Sequence, residues 1–298
     1  MNSIDRRKFI KTGIIGVAGL TISGQHAFAA LETSAENKTI PQVALGNTGI
    51  YISQVGLGTG TSGYNHSSNQ TRMGTEKFTK LARYAYDNGL RYFDLADSYG
   101  SHTFMADALK HMDREKVRIL TKIWTHPNGS DKIVPVDQTL DRCRKEIGTD
   151  YIDIVLMHCL MESKWTESRS YYMEELSKAK QAGIVKAVGV SCHDWNAMVE
   201  AVDSPWVDVI LARINPFQVL MDNTPEAVNE LLGKAKKNGK GVIGMKIFGE
   251  GKRVSDQDRE ESLNFAIKQA NIHCMTIGLE SESQIDDLKS RIIRLNKA

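Results

Sequence analysis

The sequence predicts an α/β fold, a single (β/α)8 barrel preceded by a β-hairpin, on three observations. Short runs rich in Val and Ile begin at Gln54, Arg91, Val117, Tyr151, Val185, Val207, Gly241 and His273, which makes eight candidate strands. Amphipathic stretches at helical spacing separate them. The alternation occupies ~250 residues, the usual length of an eightfold barrel, whereas an open doubly wound sheet normally needs fewer strands or a second domain. Composition agrees: 298 residues, 41% hydrophobic and 25% charged, describe a globular chain and exclude a disordered tail protein. With 38 Lys and Arg against 36 Asp and Glu, the charge is too balanced to point to nucleic acid as the partner. Four cysteines in this length exclude a disulfide scaffold.

In chain order, the first feature is an address. Asp5-Arg6-Arg7-Lys8 precedes a glycine-softened apolar run from Gly13 to Ile22, and Ala27-Phe28-Ala29 offers a small-residue cleavage site. This order resembles a twin-arginine signal peptide over residues 1–29, which implies export of the folded protein through the twin-arginine machinery to a bacterial periplasm. Its removal leaves 34 basic against 35 acidic residues, so the slight basicity belongs to the signal. The apolar run is too short and too interrupted to be a stable membrane anchor. Residues 30–38 read as a flexible leader, and 39–298 as the barrel unit.

Val43 to Ile52 has two short apolar arms around an Asn47-Thr48-Gly49 turn, a hairpin that would plug one end of the barrel. Phe78, Leu81, Ala82 and Ala85 recur at i, i+3, i+4 and i+7 and end at Asn88-Gly89, a helix with a left-handed stop. Thr224-Pro225 opens another helix that runs through Val228, Leu232 and Ala235 to Asn238-Gly239. The stretches from Tyr151 to Met157 and from Val207 to Ala212 are apolar over most of their length, as strands covered on both faces must be.

Chemistry in such barrels stands at the C-terminal ends of strands. Strand two ends in Phe93-Asp94-Leu95-Ala96-Asp97-Ser98-Tyr99-Gly100, strand three in Thr121-Lys122-Ile123-Trp124 and strand four in Leu156-Met157-His158-Cys159. Asp94, Tyr99, Lys122 and His158 would converge there, supplying an acid, a charge to tune it, a carboxylate to hold the charge and a hydrogen-bond donor.

These segments, together with the later Gly183-Ile184-Val185-Lys186-Ala187-Val188-Gly189-Val190-Ser191-Cys192-His193-Asp194 stretch, resemble the aldo-keto reductase family from Thr39 onward. The resemblance implies a NAD(P)H-dependent oxidoreductase moving hydride between a nicotinamide and a carbonyl or alcohol substrate. Tyr99 would be the general acid/base with its pKa lowered by Lys122, Asp94 would hold Lys122, and His158 would orient the carbonyl oxygen. For the cofactor it implies Gly58 and Thr59 beside the nicotinamide and Ser191 at the carboxamide; Asn215, in the Arg213-Ile214-Asn215 segment that replaces the family's glutamine, is a further cofactor candidate, and Met245 stands in place of the stacking tyrosine. Lys246, Phe248, Gly249 and Gly251 would form the pyrophosphate loop, with Ser281 and Gln284 at the adenosine end. Cys192 stands where the family usually has Asn. The family default sets NADP(H) ahead of NAD(H), although the stretch from Ile277 to Gln284 holds no Arg or Lys and Glu280 or Asp287 offers a ribose acceptor.

Trp124 resembles an aromatic wall of the substrate pocket, and Arg72, on a polar loop, would face a substrate. No metal site is expected from the His and Cys spacing, and no iron–sulfur cluster from Cys143, Cys159, Cys192 and Cys274. Two other classes fit the same barrel. One is a nucleotide-binding regulatory or partner-binding barrel with little turnover; the other is a lyase using Lys122 as a Schiff-base amine.

Overall fold

A computed structural model of the chain describes residues 39–126 and 135–297; the proposed signal and leader lie outside the described residues. All eight strand candidates form. Strands β3 (Val55–Gly58), β4 (Tyr92–Asp94), β5 (Arg118–Trp124), β6 (Ile152–Leu160), β7 (Val185–Cys192), β8 (Val209–Arg213), β9 (Gly241–Met245) and β10 (Cys274–Gly278) pair in parallel, in sequence order, and β10 closes on β3. The predicted hairpin is β1 (Gln42–Ala44) against β2 (Tyr51–Ser53), antiparallel.

Side chains that alternate along each strand divide the core into two layers. Inside the barrel, Tyr92, Leu120, Ile154, Leu156, Val209, Leu211 and Ile243 pack together, and Leu45, Ile50 and Ile52 of the hairpin join them as a plug. Tyr92 fills this space because β3 carries a glycine opposite it: a Cβ on Gly56 would fall 2.1 Å from the Tyr92 ring. Outside, Leu57, Phe93, Ile119, Val155, Val188, Val190 and Ile210 pack against the apolar stripes of the surrounding helices.

The helices follow their sequence signals. Thr75–Asp87 buries Phe78, Leu81, Ala82 and Ala85 and stops where Gly89 turns at φ +93°. Pro225–Lys237 is capped by the Thr224 hydroxyl, which accepts from the Ala227 amide. No described helix is long and apolar enough to cross a membrane.

One polar group inside the apolar shell ties its strands together. Asp153, fully buried on β6, accepts from Arg114 at 2.9 Å, from Lys186 at 3.1 Å and from the Ile119 amide at 3.0 Å. Asp153→Ala should therefore lower stability by about 2–3 kcal/mol in urea unfolding, because it leaves the buried Ile119 amide unmatched and takes the carboxylate away from Arg114 and Lys186. A loss below about 0.5 kcal/mol would show that solvent already satisfies them.

Candidate active site

The mouth of the barrel is assembled from the ends of β3 to β10. Asp94 ends β4 and Lys122 lies on its neighbour β5, so pairing of the two strands brings their side chains together. Lys122 Nζ donates to Asp94 Oδ1 and, at 3.0 Å, to the Leu95 carbonyl. Tyr99 sits in a one-turn 3-10 helix, Asp97–Tyr99, directly after β4, with its ring centroid 4.9 Å from Lys122 Nζ. The His158 ring meets Tyr99 edge-on at 5.6 Å and Trp124 at 5.9 Å. The four residues picked from separate strand ends thus stand around one point.

Burial sets their protonation. His158 lies well below the ordinary histidine pKa, first because burial disfavours the cation and then because Lys122, His193 and His126 are nearby. It is neutral, and Ser98 Oγ, 3.5 Å from Nδ1, is the neighbour able to fix its tautomer. Burial also pulls Lys122 downward, but the Asp94 carboxylate and Tyr99 together more than offset it, and its pKa ends raised. Tyr99 differs from expectation: its pKa is raised, because desolvation of the phenolate outweighs the lowering by Lys122 and the Asp94 carboxylate opposes it too. The free protein holds Tyr99 protonated.

A groove runs from Asp94 and Tyr99 to the start of the last helix. Gly58, Met245, Lys246, Phe248, Gly251 and Gln284 line it, as the sequence reading proposed for the cofactor. Ser191, fully buried at the end of β7, has an Oγ without any hydrogen-bond partner among the described residues. Buried hydroxyls left unmatched are donors awaiting a polar ligand, and a carboxamide fits Ser191. The donor set therefore fits a nicotinamide dinucleotide.

Several other candidates have different tasks. The Asn215 amide is spent on its own loop: Nδ2 donates to the Val219 and Lys246 carbonyls, and Oδ1 accepts from the Phe217 and Val219 amides. Its four positions are filled, which argues against a direct carboxamide contact. Thr59 Oγ1 bonds the Asp94 carbonyl and Ser101, bracing β3 against β4. Ser281 caps the last helix through the Gln284 amide, and Gly249 is buried behind the loop. Arg72 does not line the groove; it donates to Ser67 and Asn69 on the surface. Trp124 stands half-exposed at the mouth, beside His126. Lys246 pairs with Glu250 at 2.7 Å, and both adopt left-handed backbone conformations, φ +59° and +56°, that bend the loop over the groove.

Sequence reasoning missed a brace behind the site. Arg142 clamps both oxygens of Asp97 at 2.9 and 2.7 Å and also bonds Glu146, which meets His102, which bonds Thr121 beside Lys122. Asp97, His102 and Glu146 offer clustered ligand atoms, but Arg142 already ion-pairs with both carboxylates. Apart from the i,i+4 spacing of Arg142 and Glu146, nothing in the local sequence announces this chain, since its members spread over positions 97 to 146. Gly60 was legible in the Thr59-Gly60-Thr61 turn: a Cβ there would fall 2.2 Å from the Tyr99 ring, so only glycine lets the loop lie on it.

Residues 54–290 match the family model described as "Aldo/keto reductase family". The chain belongs to the aldo/keto reductase family. It is 27% identical over 215 residues to aldo-keto reductase AKR2E4 of Bombyx mori, covering 68% of this chain and 64% of that one. It is 26% identical over 170 residues to methylglyoxal reductase DkgB of Yersinia pestis, covering 56% and 60%. The match thus spans about three-fifths of the length of these relatives. With L-galactose dehydrogenase of Arabidopsis thaliana it shares 26% over 250 residues, 79% and 75% of the two chains. Among solved structures, the holo form of aldo-keto reductase AKR11C1 from Bacillus halodurans superposes with a TM-score of 0.67 at 16% identity, over 85% of this chain and 91% of that one. An aldo-keto reductase from Klebsiella pneumoniae in complex with NADPH gives 0.63 at 15%, over 85% and 90%. These likenesses establish the fold of this aldo/keto reductase.

Beside the tetrad, His193 is pushed down to about 3, by burial first and then by Arg213, Lys246 and Lys122. An unfolded histidine titrates near ~6.5. Its stabilisation is therefore complete above that pH and is lost as the pH falls toward 3, because only the unfolded chain takes up the proton. Between pH 7.5 and 5.0 the protein should lose up to about 2 kcal/mol through His193, and the lowered His158 acts in the same direction. Urea unfolding of His193→Gln at both pH values should show a shallower loss, and an unchanged loss would mean that His193 is already protonated in the fold.

Proposed function

We propose that this chain is a NAD(P)H-dependent carbonyl reductase, also able to run the alcohol oxidation, with Tyr99 as general acid/base. The observation that carries it is the meeting of Tyr99, the Lys122–Asp94 pair and neutral His158 at the barrel mouth, where a groove opens at Asp94 and Tyr99 and the buried Ser191 hydroxyl at the end of β7 stands unmatched. When bound, the reduced nicotinamide supplies a hydride to the carbonyl carbon. Charge then builds on the carbonyl oxygen, and Tyr99 Oη gives it the phenolic proton. Lys122, held charged by Asp94, stabilises the resulting phenolate. Neutral His158 orients the oxygen by donating one ring N–H, without adding a charge. Because burial keeps Tyr99 protonated, the resting protein is poised for reduction, while oxidation needs the phenolate and should quicken as the pH rises. Trp124 at the mouth walls the substrate side.

The export reading belongs here as well. Residues 1–29 would direct folded protein to the periplasm, 30–38 would be a leader and 39–298 the working barrel. A folded route suits an enzyme that carries its cofactor with it. In a fractionated bacterial host, Arg6→Lys with Arg7→Lys should hold the protein in the cytoplasm, and an unchanged periplasmic fraction would refute this reading.

Tyr99→Phe should bind nucleotide like the wild type, followed by tryptophan quenching, and lose about 10²- to 10⁴-fold in the reduction of methylglyoxal, the substrate named for a relative. Full activity in Tyr99→Phe would remove the acid from this scheme. Nucleotide binding without turnover of any carbonyl tried would favour the regulatory barrel.

A further inference from the structure

The end of the groove that the family resemblance would give to adenosine carries an acidic residue, Glu280. Lys246 is the one cation among its described lining residues, and it is bound to Glu250. At the opposite end from Tyr99, where β10 gives way to the last helix, the groove meets Glu280 and Gln284. The Glu280 carboxylate accepts from a single neutral donor, Asn69 Nδ2, at 2.7 Å from Oε1, which leaves it accepting capacity to spare. The Glu280 amide in turn donates to Gln284 Oε1, so the Gln284 amide group is turned with its donors outward.

Lys252, next to Gly251, is exposed and without an ion-pair partner among the described residues, but the other neighbouring cations are engaged elsewhere. Lys80 pairs with Glu282, Arg259 with Asp256 and Asp287, and Arg291 with Asp256, Glu260 and Asp287. Arg72 comes nearest through Asn69, but its guanidinium bonds the Asn69 oxygen and Ser67, on the other side of the amide that holds Glu280. Arg253 lies over Phe217 and 3.7 Å from Asp258.

A ribose 2′-phosphate carries nearly two negative charges and is ordinarily met by an arginine fork or several lysines, whereas a free ribose diol donates well to a carboxylate. We propose that Glu280 makes this groove select a dinucleotide with a free 2′-hydroxyl, NAD(H), over the 2′-phosphorylated form. The inference rests on the reductase reading and reverses the expectation drawn from the family default. Glu280 is then a specificity-determining residue: it accepts the diol and repels the phosphate.

The test needs no substrate. NADH and NADPH are titrated separately into the full chain at about 0.15 M salt, by nucleotide fluorescence and tryptophan quenching. NADH should bind at least tenfold tighter. Glu280→Gln should shrink that ratio about tenfold while its thermal melt stays in place, and Glu280→Arg should invert it. NADPH binding as tightly as NADH, or a ratio unmoved in Glu280→Gln, would overturn the inference and leave the reductase reading standing. Loss of NADPH binding in Arg72→Ala would likewise overturn it, by showing that Arg72 swings in to hold a phosphate. If a folded sample binds neither nucleotide, the reductase reading itself fails, and the inference with it.

Discussion

An ammonium group that is 1% exposed stays charged only with a partner, and Lys122 meets that constraint through Asp94. The chemistry at the barrel mouth follows from this buried pair. It fixes the ends of β4 and β5 against each other, and its net charge is near zero, so the desolvated site tolerates it. The ammonium adds to the burial that keeps His158 neutral and is the main force opposing the rise in the Tyr99 pKa. Replacing the pair with apolar residues of equal volume would cost little stability by itself. The fold keeps the pair for what it does to its neighbours.

Tyr99 reaches this pair from a 3-10 turn, the least regular element of the site, and the turn is held from behind. Arg142 grips Asp97 within it, Gly60 lies flat on the ring, and the His66 ring meets the Asp97 carbonyl at 3.0 Å. The chain through Glu146 and His102 to Thr121 then links the flank of Tyr99 with the flank of Lys122. Position is worth as much as chemistry here, since a shift of about 1 Å in a reacting group can cost two orders of magnitude in rate. The loop after β9 shows the opposite arrangement. Lys246 and Glu250 bend it through left-handed conformations and pair with each other within the loop, so the positive charge that Lys246 brings to the groove is already balanced.

The strands, the hairpin and the tetrad were legible because each is a local or periodic signal. Val and Ile runs announce buried strands, Asn88-Gly89 and Thr224-Pro225 announce helix ends, and polar residues after an apolar run announce a strand end at the mouth. The cofactor residues were less legible, and Asn215 shows why. An asparagine after a strand can face a ligand or fold back on its own loop, and that depends on whether Val219 and Lys246 turn their carbonyls toward it. The Tyr99 pKa follows the same rule: the sequence names Lys122 as the group that lowers it, but only packing reveals how much water the ring has lost.

The sequence by itself determined the barrel, its plug and the four residues that meet at its mouth, because hydrophobic periodicity and strand order force strand ends to converge once the barrel closes. Tertiary structure alone decided the balance of forces on those residues. Burial, the brace through Arg142, the unmatched Ser191 hydroxyl and the acidic end at Glu280 all depend on distances between residues far apart in the chain. Desolvation and charge pairing act through space, and no spacing along the sequence encodes them.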